Sequence, residues 1–263
     1  MFSYYLKLAL ISIRRNPVLT GLMILAIGLG IGASMTTITV NYVMSSDPIP
    51  HKSSQLYHVQ VDSWDPNNPF RDNGEPPDQV TWTDANNFMR DKKALRQSAM
   101  ATSSAVVIPP GDDAKPQQSN LRLAYSDFFP MFDLPFQFGA GWPQSADKNL
   151  EYVAVLSRET NDEMFGGEDS VGRTLTIAGQ DFRVVGVLDE YMPVPRFYDL
   201  TTGSFNTPQD IFIPFLLKRE LELPNNGNVN CWKSPEGEGF DAFLQSECIN
   251  YQMWVELPTP SDK

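Results

Sequence analysis

From Asn16 through Ser46 the chain carries no charged side chain, and this limits what the rest of it can be. A helix over Pro17–Met44 rises roughly 40 Å at ~1.5 Å per residue, more than the ~30 Å hydrocarbon core of a bilayer requires. Backbone amides cannot stay unpaired in lipid, so only a hydrogen-bonded helix or a closed barrel crosses it. The stretch reads as a transmembrane helix over residues 17–45, with a short arm (1–16) before it and a large domain (46–263) after it. A cleaved secretory signal is the rival reading, with Gly30, Ile31, Gly32 and Ala33 imitating a cleavage site. Against it, the charge-free run is long for such a signal, and residues 35–44 still suit a helix in lipid.

The arm holds Lys7, Arg14 and Arg15 and no acid, whereas the net charge of the whole chain is −12. Everything beyond the helix is therefore more acidic than the total. By the positive-inside rule the three cations orient the arm to the cytoplasm and put the acidic domain across the membrane. An acidic surface argues against nucleic acid or anionic headgroups as partners of that domain. In the arm, Phe2, Tyr5, Leu6, Ala9, Leu10 and Ile13 form an apolar side opposite Lys7 and Arg14, which predicts an amphipathic helix lying on the lipid bilayer. Pro17 suits the first turn of the next helix. Within that helix Gly28, Gly32 and Thr36 recur at four-residue spacing, with Gly21 and Ala33 adding small surface. Such faces let a second helix approach closely, although glycine is common in membrane helices generally.

With 41% hydrophobic residues, 21 Pro and 17 Gly, the chain has the composition of a folded protein. The two cysteines, Cys231 and Cys248, both fall in the exported part; in an oxidising compartment they read as a disulfide worth ~3 kcal/mol, the alternative being two free thiols. Alternation predicts a strand over 56–62 with Tyr57, Val59 and Val61 buried, then a polar loop over 65–79. A helix capped at Thr83 and Asp84 runs to about Lys93. Strands over 99–108 and 119–125 flank a turn at 109–112, and Ser126 and Asp127 cap a short aromatic helix. A strand over 152–156 leads to a helix capped by Ser157 and ended by Gly166. Residues 173–177 and 182–188 form a hairpin about a turn at 178–181. After an irregular piece over 189–208, the last strands cover 211–215 and 249–257, separated by a polar insertion at about 216–248. The mixture is α+β.

No residue pattern carries catalysis, a cofactor or a metal. The run FGGEDSVG over 165–172 lacks the Gly-Lys-Ser/Thr ending of a phosphate loop and follows a helix, not a strand. His51 and His58 have no ligand spacing around them. Ser157 lacks a G-x-S-x-G context and is better explained as a cap. Asp112, Asp113, Glu168 and Asp169 sit in turns, as solvated acids do. Phe128, Phe129, Phe132, Phe136 and Phe138 fill a core or, as an alternative, line an apolar ligand groove. On residue chemistry the chain is not an enzyme.

Several stretches resemble the MacB/FtsX-type ABC transporter permeases. Arg14-Arg15-Asn16-Pro17 before a Gly-rich apolar helix is similar to that family's opening. The segment from Tyr125 to Phe132 with Leu134-Pro135 resembles its aromatic step. The most specific likeness runs over 153–188 and holds Val155-Leu156-Ser157, Phe165-Gly166, Val171-Gly172-Arg173 and Val184-Val185-Gly186-Val187. Residues Ile211-Phe212-Ile213-Pro214 resemble the family's closing strand. The resemblance implies a periplasmic domain of porter-like α/β modules with a β-rich insertion, anchored in the bacterial inner membrane. It also implies a separate cytoplasmic ABC ATPase subunit, a second permease copy and, in some members, a periplasmic adaptor and outer-membrane duct. The implied mechanism is mechanotransmission, with Gly28, Gly32 and Thr36 packing helices and Cys231–Cys248 clamping the insertion. The family places three further membrane helices after this domain, so ending at Lys263 reads as a fragment or an early-ending product. The alternative function is a single-span anchored periplasmic sensor or ligand-binding module with the aromatic cluster as its groove.

Overall fold

The protein is described by a computed structural model covering residues 2–45, 47, 49–111, 114–191, 193, 196–199, 201–203, 205, 206 and 208–258. Contacts divide it into two units, Met1–Asp47 and Pro48–Lys263. The first holds α1 (Phe2–Arg15) and α2 (Pro17–Met44), with Asn16 between them and Pro17 in the first turn of α2. Lys7, Arg14, Arg15, Tyr5 and Ile13 are exposed; the side chains of Phe2, Leu6, Ala9 and Leu10 lie outside the described ones. α2 is long and apolar enough to cross a membrane and buries none of its residues. Thr36 and Thr37 donate their hydroxyls to the carbonyls of Gly32 (2.9 Å) and Ala33 (3.0 Å), so their polar groups are satisfied within the helix.

The second unit is an α+β domain on a mixed sheet, of eleven strands among the described residues. A 3₁₀ turn (Ser53–Gln55) leads into β1 (Leu56–His58), followed after a loop by β2 (Val80–Thr81) and α3 (Trp82–Asp91). The long β3 (Arg96–Ile108) and β4 (Gln117–Ala124) form a hairpin, then come α4 (Phe128–Met131), β5 (Phe136–Gly139) and α5 (Gln144–Asn149). β6 (Val153–Leu156), α6 (Arg158–Phe165), β7 (Thr174–Ile177) and β8 (Gln180–Leu188) follow. The last elements are β9 (Ile211–Pro214), α7 (Leu217–Glu220), β10 (Asn230–Cys231), α8 (Phe240–Leu244) and β11 (Cys248–Glu256).

The strand pairings run round a ring: β3 with β4, β4 with β9, β9 with β6, β6 with β8, β8 with β7, and β7 back to the far end of β3. β4–β9 and β6–β8 are parallel and the other four antiparallel. One buried cluster takes residues from all six ring strands, among them Val107, Leu123, Leu156, Ile177, Phe182 and Ile213. A register shift in β6–β8 lets both Val184 and Val187 join that cluster. A second cluster lies on the other side of β6 and β9, where Val155 and Phe212 meet Phe128, Phe129, Phe132 and Trp142. With both faces covered, β6 and β9 are buried at every residue, which explains their unbroken apolar sequences.

Local chemistry sets the element boundaries. α3 starts two residues before the expected cap, because the Thr81 hydroxyl accepts from the Asp84 amide at 3.1 Å. Ser157 caps α6 through the Thr160 amide (3.1 Å), and Gly166 ends it at φ 71. The β7–β8 turn is the two-residue Ala178-Gly179, both at positive φ, which matches the twist of the flanking strands. Asp127 does not cap α4 with its side chain; its carboxylate accepts from the Gln97 amide instead (3.2 Å). The turn acids Asp112 and Asp113 lie outside the described residues.

Candidate functional site

The residues that follow the apolar helix in sequence are woven into the domain. Ile49 is buried in the second cluster, and its carbonyl accepts from the amides of Lys52 (2.9 Å) and Ser53 (2.8 Å), which turns the chain. β1 then pairs antiparallel with β11, Leu56 opposite Glu256, and Leu257 donates to the Gln55 carbonyl at 2.9 Å. Below β1 the pairing continues as the Val59 amide reaches the Met253 carbonyl (2.8 Å). Val59 and Val61 pack against the first cluster, although regular strand stops at His58.

Charge ties the same stretch to two further elements. Lys52 is 9% exposed, and its Nζ donates to the Pro130 carbonyl and to Asp133 Oδ1 at 3.2 Å. It also stands 3.4 Å from Oε2 of the buried Glu256, whose other oxygen accepts from Arg96 Nη1 at 2.7 Å. Asp133 holds φ 49, a conformation few L-residues adopt, and accepts from both Lys52 and His51. A buried ammonium without such partners would cost several kcal/mol, whereas the exposed His51–Asp133 pair contributes little. Lys52, Asp133, Arg96 and Glu256 thus bind the start of the domain to α4, β3 and β11. Burial also holds the His58 imidazole below its ordinary range, so it is neutral beside the Trp254 ring, 5.4 Å away.

None of these four charged residues stands out in the sequence, since even the directly paired Arg96 and Glu256 are 160 positions apart. The residues that do stand out fall into three places. Gly28, Gly32 and Thr36 share the exposed surface of α2, where a Cβ added at either glycine meets nothing within 4 Å. Cys231 and Cys248 are directly opposed in the β10–β11 pair and are joined as a disulfide. The third group is structural. Phe165 stacks under the Arg173 guanidinium at 4.6 Å, the Gly172 amide donates to the Val184 carbonyl (2.8 Å), and Val184 sits in the first cluster with Val185 bordering the second. A Cβ at Gly186 would stand 2.5 Å from the Ala140 carbonyl oxygen, so only glycine lets β5 approach β8 there. Phe128, Phe129 and Phe132 are core, with ring centroids 5.2 and 5.8 Å from Phe128 to its two neighbours.

The pattern of the MacB-like periplasmic core domain matches residues 20–262. No curated protein matches the chain. Among solved structures it is similar to the periplasmic region of MacB from Actinobacillus actinomycetemcomitans, at 15% identity and a TM-score of 0.48 over 82% of this chain and 80% of that one. It is similar also to the extracellular domain of the ABC-type transporter YknZ from Gram-positive bacteria, at 15% identity and a TM-score of 0.45 over 78% and 82%. With nearly its whole length matched by one family pattern, the chain belongs to the family of the MacB-like periplasmic core domain.

Proposed function

We propose that the chain is part of the permease subunit of an ABC-type export or mechanotransmission complex in a bacterial inner membrane. In this reading the arm with Lys7, Arg14 and Arg15 is cytoplasmic, α2 spans the bilayer and the domain is periplasmic. A separate ABC ATPase hydrolyses ATP, and a second permease copy, a periplasmic adaptor and an outer-membrane duct complete the assembly. The observation that carries the reading, beyond family membership, is the stretch Ile49 to His58. It is fixed to the core by an apolar anchor, a strand pairing and a buried ammonium, so a displacement of its start is passed to α4 and β11 together. A loosely tethered domain would need none of these. The exposed Gly28, Gly32 and Thr36 surface supports a packed position for α2 among other helices.

Co-purification of the full-length gene product from its native membrane tests this. An ABC ATPase recovered in stoichiometric amount is the expected result. Recovery of the protein alone from gently solubilised membranes would favour a single-span sensor instead.

A further inference from the structure

On the second-cluster side of β4, polar residues replace apolar ones. Arg122 stands opposite Thr102 of β3, and Asn120 opposite Ser104, while Leu121 and Leu123 point into the first cluster. Described residues between 196 and 209, among them Asp199 and Gln209, lie against this face, and Arg196 brings a second arginine to it. Arg122 and Arg196 are 0% and 2% exposed, so both guanidinium charges are out of water. The carboxylate they share is Asp199: Arg122 Nη2 is bonded to its Oδ2, and Arg196 Nη1 stands 3.6 Å from the same oxygen. Among the described residues, every other partner of Asp199 is neutral, namely the amides and hydroxyls of Thr201 and Thr202 and the side chains of Gln209 and Gln252. Two buried cations therefore face one buried anion. The Tyr198 ring, 5.5 Å from Arg122 Cζ, offsets part of the excess.

The hydrogen bonds show the same imbalance. Among the described residues, Nε and Nη1 of Arg122 and Nε of Arg196 are buried with no hydrogen-bond acceptor, and Nη1 of Arg196 has only its 3.6 Å approach to Asp199, while Nη2 of Arg196 donates to the Gly203 carbonyl at 2.8 Å. Unmet donors on buried charged groups are costly. Arg196 also forms part of the wall of a cavity of about 430 Å³. Among the described residues it is the sole charged group lining that cavity, in a domain that is strongly acidic overall. Asn120, Gln209, Asn226 and Phe205, the last 64% exposed, are among the other residues lining it.

We propose that this cavity binds an organic carboxylate, its single negative charge held by the field of the Arg122–Arg196 pair and by the amides of Asn120, Gln209 and Asn226. One charge matches the excess, whereas phosphate near neutral pH brings more. The volume leaves room for an organic body beyond the carboxylate group. Planar side-chain amides suit two coplanar oxygens.

The test is thermal unfolding of the full chain in detergent, titrated with sodium butyrate, sodium chloride or sodium phosphate at constant ionic strength. Butyrate is expected to raise the midpoint saturably, with chloride giving no saturable rise. Asn226→Asp, which sets a negative charge in the cavity wall without touching the arginine pair, is expected to weaken the response at least ~10-fold while the fold is kept. Arg196→Gln is the stronger variant, and Asn226→Asp decides if it fails to fold. A rise that is equal for chloride, absent for butyrate, or undiminished in Asn226→Asp overturns the site. A saturable response to phosphate alone overturns the carboxylate assignment.

Discussion

Asp199 shows how much rests on one side chain. Burial works against its ionisation, but the Arg122 guanidinium, the Thr202 hydroxyl, the Thr201 amide and Arg196 outweigh that and hold its carboxyl well below the usual range. A carboxyl depressed in the folded state adds stability that is complete above the unfolded value of about 4 and is lost as pH falls through the lower folded value. Asp199→Asn leaves two arginines buried without a counter-charge and should cost ~3–5 kcal/mol at pH 7 in urea unfolding. The gap between variant and wild type should narrow below about pH 4, where the wild type loses its advantage. A constant gap across that range would contradict the pairing. Gly186 is the other sensitive residue. Gly186→Ala drives a methyl against the Ala140 carbonyl and should lower stability by ~1–3 kcal/mol, measured the same way.

At the scale of elements, long patterned segments were legible from the sequence and short or covered ones were not. α2, the β3–β4 and β7–β8 hairpins and the Ser157 cap all follow from charge-free length, alternation or turn chemistry, and each lies within a few residues of its expected place. β5 was missed because Phe136–Gly139 is four residues long between a proline and a glycine at positive φ. β2 and β10, two residues each, exist only through pairing with β11. Arg122 lies between Leu121 and Leu123, which face the first cluster, so nothing in the strand's own pattern marks it as buried. It is buried because an irregular segment, whose path no periodicity reveals, folds over it. The junction charges were illegible for the same reason: Lys52, Arg96, Asp133 and Glu256 meet only through tertiary contact. Segment 216–248 holds α7, β10 and α8 and is tied to β11 by the disulfide, whose partners are 17 residues apart. Reduction should therefore lower stability by ~3 kcal/mol, seen as a shift in unfolding midpoint with reductant, and an unchanged midpoint would argue against a clamp.

For the whole molecule, the proposed coupling carries displacement of the helix to the sheet through residues 49–58. Both cysteines are in the disulfide, so a spin label can be attached to a single introduced cysteine at the exposed Asp181, near the start of β8. Lys52→Met removes the buried ammonium and should loosen the junction while leaving the Arg96–Glu256 pair in place. The most direct measurement is the distance between labels at residue 181 in the two permease copies of the reconstituted ATPase complex, taken by pulsed EPR with and without bound ATP. A nucleotide-dependent change is expected in the wild type, reduced in Lys52→Met. A distance distribution unmoved by nucleotide in the wild type would contradict it.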